Sequence, residues 1–445
     1  MTDVDPLAVP APLDPARTSF VGIVGRLTGV NVVALVAAII TGPITARMLG
    51  ADGRGELAAI ISVITIAPIV FDLGLGQWLA RERARGGSRS DLLGAALPVA
   101  LGCSLVAVAL AAPVSELIGQ GRPVVKTFVL IGLLLMPVSV ALHVLLGLAI
   151  GESRWRLYSA TRLVTSVLPV FAIVMLALGG GLTVASAAAA YLLAGLFGGL
   201  LLLQRVRGVR RLSFDRRRAR AAVVFGAKGW LSQVAGTANN RLDQALMAGL
   251  VSSRQLGLYA VAVTVASITH GLMVAVSAAL FPRVAGGDRE IVARSCRVTI
   301  CFVLVVSAVL AALSPAMIPF VFGAEFGEAV PMVIVLLMAS VPLAAAVVLA
   351  AALVATNEPG AAMRAELVAL AVTIPALVAF IPSGGGFSAA IISLIAYSLR
   401  LAVQLRSTCR AFGTPWWSFV LPTPHDVTWL RQRARRLRGG SAGAS

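Results

Sequence analysis

Gln233, Thr237, Asn240, Arg241 and Gln244 stand at i, i+4, i+7, i+8 and i+11 of one chain segment. On a helix that spacing is a single face. Asn239 and Asp243 lie beside it, four residues apart. The segment is otherwise apolar and long enough to cross a bilayer, and Arg241 falls near its middle. A charge there costs roughly 2.5–3.5 kcal/mol on insertion scales. Such a face cannot meet lipid. It must line an aqueous cavity or a polar interface. Arg241 and Asp243 are two apart, so they point in different directions and need different partners. Either could serve a purely structural interhelical pair.

A second stripe, Ser62, Thr65 and Asp72, shares a face in an earlier apolar segment. Pro68 removes one backbone hydrogen bond there and predicts a kink. Arg26 lies roughly 10 Å into the first apolar segment, at 1.5 Å per residue. Asp72 lies at a similar depth, so the geometry allows an Arg26–Asp72 pair. The alternative for Arg26 is to snorkel to the interface. Asp72 and Asp243 are the candidates for pairing with a cation or for holding a coupling proton or sodium ion. His143 and His270 are lone intramembrane histidines, better suited to interhelical hydrogen bonds than to proton carriage. Gly25 and Gly29 have the spacing of a helix-packing motif.

This is the chemistry of binding, not of catalysis. The sequence has no GxxxxGK[ST] phosphate loop, no GxSxG elbow and no HExxH pair. Cys103, Cys296, Cys301 and Cys409 have no CxxC spacing. The expectation is a protein that is not an enzyme, with no cofactor and no metal site.

The elements that must carry these residues are membrane helices. Hydrophobic residues make up 58% of the 445, charged residues only 13%, and mean hydropathy is +0.93. Soluble domains sit near 45–50% apolar. The excess forms about twelve blocks of roughly 20 residues, the length of a span. Backbone groups inside a bilayer must satisfy one another, so helices are required. The net charge of +18 does not point to nucleic acid, because the arginines gather in alternate loops. The loops after spans two, four, six, eight and twelve are the basic ones, which places both termini in the cytosol. Met1–Ala16 is not a signal peptide. Past Thr414, Trp416, Trp417 and Trp429 accompany Arg431, Arg433, Arg435, Arg436 and Arg438, a composition suited to the cytosolic lipid surface.

The chain also repeats itself. Gly179–Gly181 matches Gly384–Gly386, Pro169 matches Pro375, and Pro113 matches Pro315. Glu152 matches Glu358, and Gly55 matches Gly257, all at nearly one offset. The expected fold class is an all-α polytopic membrane protein with about twelve transmembrane helices as two parallel six-helix repeats. The expected domains are a disordered lead (1–18), an N-terminal bundle (19–204), a basic linker (205–228), a C-terminal bundle (229–406) and a basic, aromatic tail (407–445).

Three segments then carry a resemblance. They are Leu49–Leu57 running into Asp72–Gly76; Asn240–Asp243 followed by Leu256–Ala260 and Phe281–Arg283; and Phe322–Phe326. In order and spacing the chain resembles the O-antigen and exopolysaccharide flippases. These are the polysaccharide branch of the superfamily that also holds multidrug (MATE) exporters and lipid II flippases. The resemblance implies a V-shaped pair of six-helix bundles around a cationic cavity in the bacterial cytoplasmic membrane. It implies a substrate that is an anionic polyprenyl-diphosphate oligosaccharide, carried on undecaprenol. Arginine matches phosphate oxygens well, so Arg26, Arg241, Asn240, Gln233 and Gln244 become the substrate-binding candidates. The implied pathway partners are a polysaccharide polymerase and glycosyltransferases. Alternatives are a cation-coupled MATE-type multidrug exporter and a lipid II or teichoic-type flippase.

Overall fold

The computed structural model describes residues 20–203, 213–285, 289–356 and 358–421, and among these the chain is helical with no strand. The expected lead, part of the basic linker and the tail beyond 421 lie outside the described residues.

In chain order the helices are α1 (Phe20–Phe71), α2 (Leu75–Ala84), α3 (Arg89–Ala109), α4 (Ala111–Gly119), α5 (Pro123–Leu134), α6 (Met136–Gly151), α7 (Trp155–Leu178) and α8 (Val184–Leu203). They continue with α9 (Arg216–Leu250), α10 (Ser253–Ala285), α11 (Arg289–Phe322), α12 (Val330–Ala355), α13 (Pro359–Phe412) and α14 (Trp417–Val420). A 3-10 turn, Ala324–Ala329, joins α11 to α12.

Seven helices are long and apolar enough to cross a membrane. Two of them, α1 and α13, are interrupted by a non-helical glycine, Gly50 (φ 68) and Gly385 (φ 56), so each holds two passes. A bent pair, α5 with α6 at 53°, makes another. The polar-faced α9 and its neighbour α10 complete about twelve, each exceeding the roughly 20 residues a span needs. The breaks have local causes. Pro137, the second residue of α6, lacks an N–H and crowds the preceding turn, which bends the α5–α6 span. Pro113 sits in the first turn of α4, where a missing N–H costs nothing, so the third span continues past it to Gly119. The break in the second span falls at Leu73 (φ 47) and Gly74 (φ 69), about one turn beyond Pro68.

The chain divides into two compact units. The first holds the chain up to Ala37 together with Ile60–Val234. There α6 is central, packed on α2, α3 and α8. At the end of α6 the Glu152 carboxylate, only 4% exposed, is gripped by Arg83 at 3.2 Å, Arg154 at 3.3 Å and Arg89. Three guanidiniums around one enclosed carboxylate tie the α2–α3 turn to the α6–α7 turn.

The second unit holds Ala38–Ala59 and the chain from Ala235 on. Its centre is α12, enclosed by α10, α11 and α13. Residues 38–59 dock on this unit. Arg47 Nε donates to the Val321 carbonyl at 2.9 Å, and Arg54 Nη2 reaches Thr264 Oγ1 at 3.3 Å. The two glycines that matched across the repeat, Gly55 and Gly257, face each other here. A Cβ on Gly55 would lie 1.8 Å from the Ser253 carbonyl oxygen, and one on Gly257 would lie 1.9 Å from that of Ala51. Both obstacles are backbone, so neither can move aside. We expect Gly257→Val to lower the melting temperature of the purified protein sharply, since overpacking of this kind costs about 1–3 kcal/mol or more. Gly102→Val, where a Cβ would meet nothing within 4 Å, is the control. Equal melting temperatures for the two variants would mean that the crossing is not tight.

Candidate functional site

The segment with Gln233, Thr237, Asn240, Arg241 and Gln244 is α9, which passes from the first unit to the second between Val234 and Ala235. Its two parts are built differently.

In the first unit, Trp230 Nε1 donates to the carbonyls of Ile69 at 3.1 Å and Val70 at 2.9 Å. These carbonyls are freed because the helix ends just after them, at Phe71. One turn on, Gln233 Oε1 accepts a hydrogen bond from Gln77 Nε2, and both side chains are exposed. Asp72 is 7% exposed. Its Oδ1 accepts from the Gly76 N–H at 3.4 Å, at the N-terminus of α2. Arg26 is exposed on α1, and no ion pair joins it to Asp72. The expected pair is therefore not formed. The physical reason is the left-handed break at Leu73–Gly74, which creates a helix N-terminus beside Asp72. The Gly76 N–H at that terminus is the partner Asp72 takes in place of a cation.

In the second unit, α9 builds a buried polar cluster. Asn239 Nδ2 donates to Glu366 Oε2 at 2.8 Å and to the Glu366 carbonyl at 3.1 Å. Glu366 Oε1 pairs with Arg400 Nη2 at 2.5 Å, and the two side chains are 11% and 8% exposed. Tyr397 donates to the Asn239 carbonyl at 3.3 Å. One turn along α9, the buried Asp243 accepts a hydrogen bond from the Tyr259 hydroxyl. Gln244 is also buried. Asn240 lies on α9, and its side chain is outside the described residues. Arg241 points elsewhere, as its spacing from Asp243 requires. It is exposed and makes no ion pair with any described residue.

The arrangement thus sorts the candidates. Asn239 and Asp243 belong to a packed interior, while Arg241 is exposed on the same helix and pairs with no acid among the described residues. Glu366, Arg400, Tyr259 and Tyr397 were missed by sequence reasoning. The signal for two of them was present: Glu366 and Arg400 are opposite charges, each set within an apolar span, where an ionisable residue is a candidate by default.

A family model described as polysaccharide biosynthesis protein matches residues 24–286. No curated protein sequence matches the chain. Among solved structures, the chain is similar to the lipid II flippase MurJ in an inward closed conformation, with TM-score 0.71 and 14% identity over 89% of this chain and 88% of that one. It is similar to an inward-facing multidrug resistance MATE family transporter of the MOP superfamily, with TM-score 0.65 and 14% identity over 85% and 94% of the two chains. The MATE multidrug transporter DinF-BH, solved as a complex, gives TM-score 0.58 and 15% identity over 89% and 98%. At such identities the likeness is one of fold, and the fold is that of polytopic membrane transporters.

Proposed function

The chain belongs to the polysaccharide biosynthesis protein family, and on that premise we propose that it flips an undecaprenyl-diphosphate-linked oligosaccharide across the bacterial cytoplasmic membrane. The observation that supports this substrate class is Arg241. A guanidinium near the middle of a span persists only beside water or an anionic partner. The neighbouring acid, Asp243, is engaged by Tyr259, so the partner of Arg241 is free to be a ligand. A diphosphate fits, because a planar guanidinium grips two phosphate oxygens at once. Gln233, Gln244 and Asn240 on the same helix, with Arg26 on α1, are the further binding candidates. Transport proceeds by alternating access, as in transporters built from parallel repeats. Asp72 and Asp243 remain the candidates for a coupling proton or sodium ion. The pathway partners are the glycosyltransferases that build the lipid-linked substrate and the polymerase that receives it.

The test is a strain in which this gene is deleted. Lipid-linked oligosaccharide should accumulate on the cytosolic leaflet, surface polysaccharide should vanish, and sensitivity to cationic drugs should not change. A drug phenotype with normal surface polysaccharide would overturn the proposal in favour of a multidrug exporter.

Direction of transport depends on orientation, which we assign with both termini in the cytosol from the arginine asymmetry of the loops. A fusion reporter that is active only outside the cytosol should give signal at Glu325 and none at Ser213. The reverse pattern would refute the orientation.

A further inference from the structure

At the end of α13 the chain turns at Gly413 (φ 65) and returns as α14. The return is anchored. Phe419 is 1% exposed, packed in an apolar cluster with Val292, Cys296, Val348 and Leu349. Arg297 donates to the Ser418 carbonyl. An anchored return fixes Trp416 and Trp417, which meet edge to face with ring centroids 6.0 Å apart. Yet these two rings stay 54% and 52% exposed. Across from them on α13, Arg406 and Arg410 stand one turn apart, both exposed, and neither pairs with an acid among the described residues. The four side chains, with Leu405 and Cys409, line a cleft of about 590 Å³.

The chemistry of this cleft is specific. Two arginines one helical turn apart can share one phosphate group. Indole rings that are half exposed on a rigid turn are costly in water and favoured at the level of lipid head groups. The Leu405 and Cys409 floor is apolar and takes hydrocarbon. Charge complementarity therefore selects an amphiphile with a phosphate at one end. We propose that the cleft binds an anionic phospholipid of the cytosolic leaflet, its phosphate between Arg406 and Arg410, its glycerol region against Trp416 and Trp417, and its acyl chain along Leu405. The inference rests on the cytosolic placement of the C-terminus and is independent of the transported substrate.

Bromine on a lipid acyl chain quenches tryptophan at short range, which gives a direct readout. The full-length protein is placed in phosphatidylcholine nanodiscs, and either brominated phosphatidylglycerol or brominated phosphatidylcholine is added at increasing mole fraction. The wild type should reach half of its saturable quenching at a roughly tenfold lower fraction of phosphatidylglycerol, given that each arginine near an anionic lipid surface contributes several-fold. Arg406→Gln/Arg410→Gln should bring the two curves together, while Arg406→Lys/Arg410→Lys keeps part of the difference. Trp416→Phe/Trp417→Phe should remove the saturable component and leave the background from the other tryptophans. Equal quenching by the two lipids in the wild type would overturn the proposal. So would a preference that survives in the glutamine variant, which would report general attraction to a basic protein. Quenching by neither lipid, with two copies per disc, would assign the face to self-association and also overturn it.

Discussion

Arg241→Ala is expected to abolish surface polysaccharide almost completely while the protein still inserts at normal abundance. The argument turns on what the substitution leaves behind. Arg241 makes no ion pair with a described residue, and Asp243 is already held by the Tyr259 hydroxyl. Removing the guanidinium therefore orphans no buried acid, and the stability cost stays small. What is lost is a charge-assisted contact to a diphosphate, worth about 1.5–3 kcal/mol, or roughly a tenfold to hundredfold loss in binding. Lysine keeps the charge but not the planar fork. Arg241→Lys should therefore retain partial transport. Lipid-linked oligosaccharide should build up on the cytosolic leaflet in proportion to the defect. Membrane abundance and surface polysaccharide measured together decide the matter. Normal values of both in Arg241→Ala would falsify the substrate role, and a fall in abundance alone would make the residue a structural one.

The fold was legible because its main determinant is one-dimensional. A bilayer demands a set length of apolar chain, and that length can be counted along the sequence. The repeat was legible for a related reason. Gly180 and Gly385, equivalent positions of the matched glycine runs, both have positive φ, and Gly55 and Gly257 meet at a crossing no side chain could share. Backbone constraints of this kind leave glycine in the sequence. The helix runs past Pro68 to Phe71. It ends where Leu73 (φ 47) and Gly74 (φ 69) both take left-handed backbone, of which only the glycine is announced by its residue type. Asp72 stands just before that break and accepts a hydrogen bond from the Gly76 N–H at the start of α2.

The site was legible only on one helix. Periodicity gathers Gln233, Arg241 and Gln244 onto α9 because it describes a single element. The partners of Asn239 and Asp243 come from elsewhere in the chain. Glu366 is 127 residues from Asn239, and only tertiary packing brings them together. The tail divides in the same way. Its aromatic and basic composition reads as an interfacial segment, but the burial of Phe419 against α11 and α12 does not follow from composition.

The Glu366–Arg400 pair carries the largest stability effect expected in the second unit. Both residues are less than a tenth exposed. Taking one charge out of such a pair leaves the other enclosed without compensation, at a cost of about 3–5 kcal/mol. Arg400→Met should therefore lower membrane abundance severely, since an entire domain holds only about 5–15 kcal/mol in reserve. Glu366→Met should do the same, because it strands the Arg400 guanidinium. The double substitution Glu366→Met/Arg400→Met removes both charges and fills the space with apolar side chains of suitable length. Replacements of this type are commonly neutral or stabilising. Asn239 Nδ2 would keep one partner, the Glu366 main-chain carbonyl at 3.1 Å, so the double variant need not leave that amide unsatisfied. The double variant should thus recover most of the abundance and melting temperature lost by either single one. Full stability in Arg400→Met would show that the pair contributes nothing. A double variant as unstable as the singles would locate the loss in packing. Recovery of stability without recovery of surface polysaccharide would give the pair a role in transport beyond its part in stability.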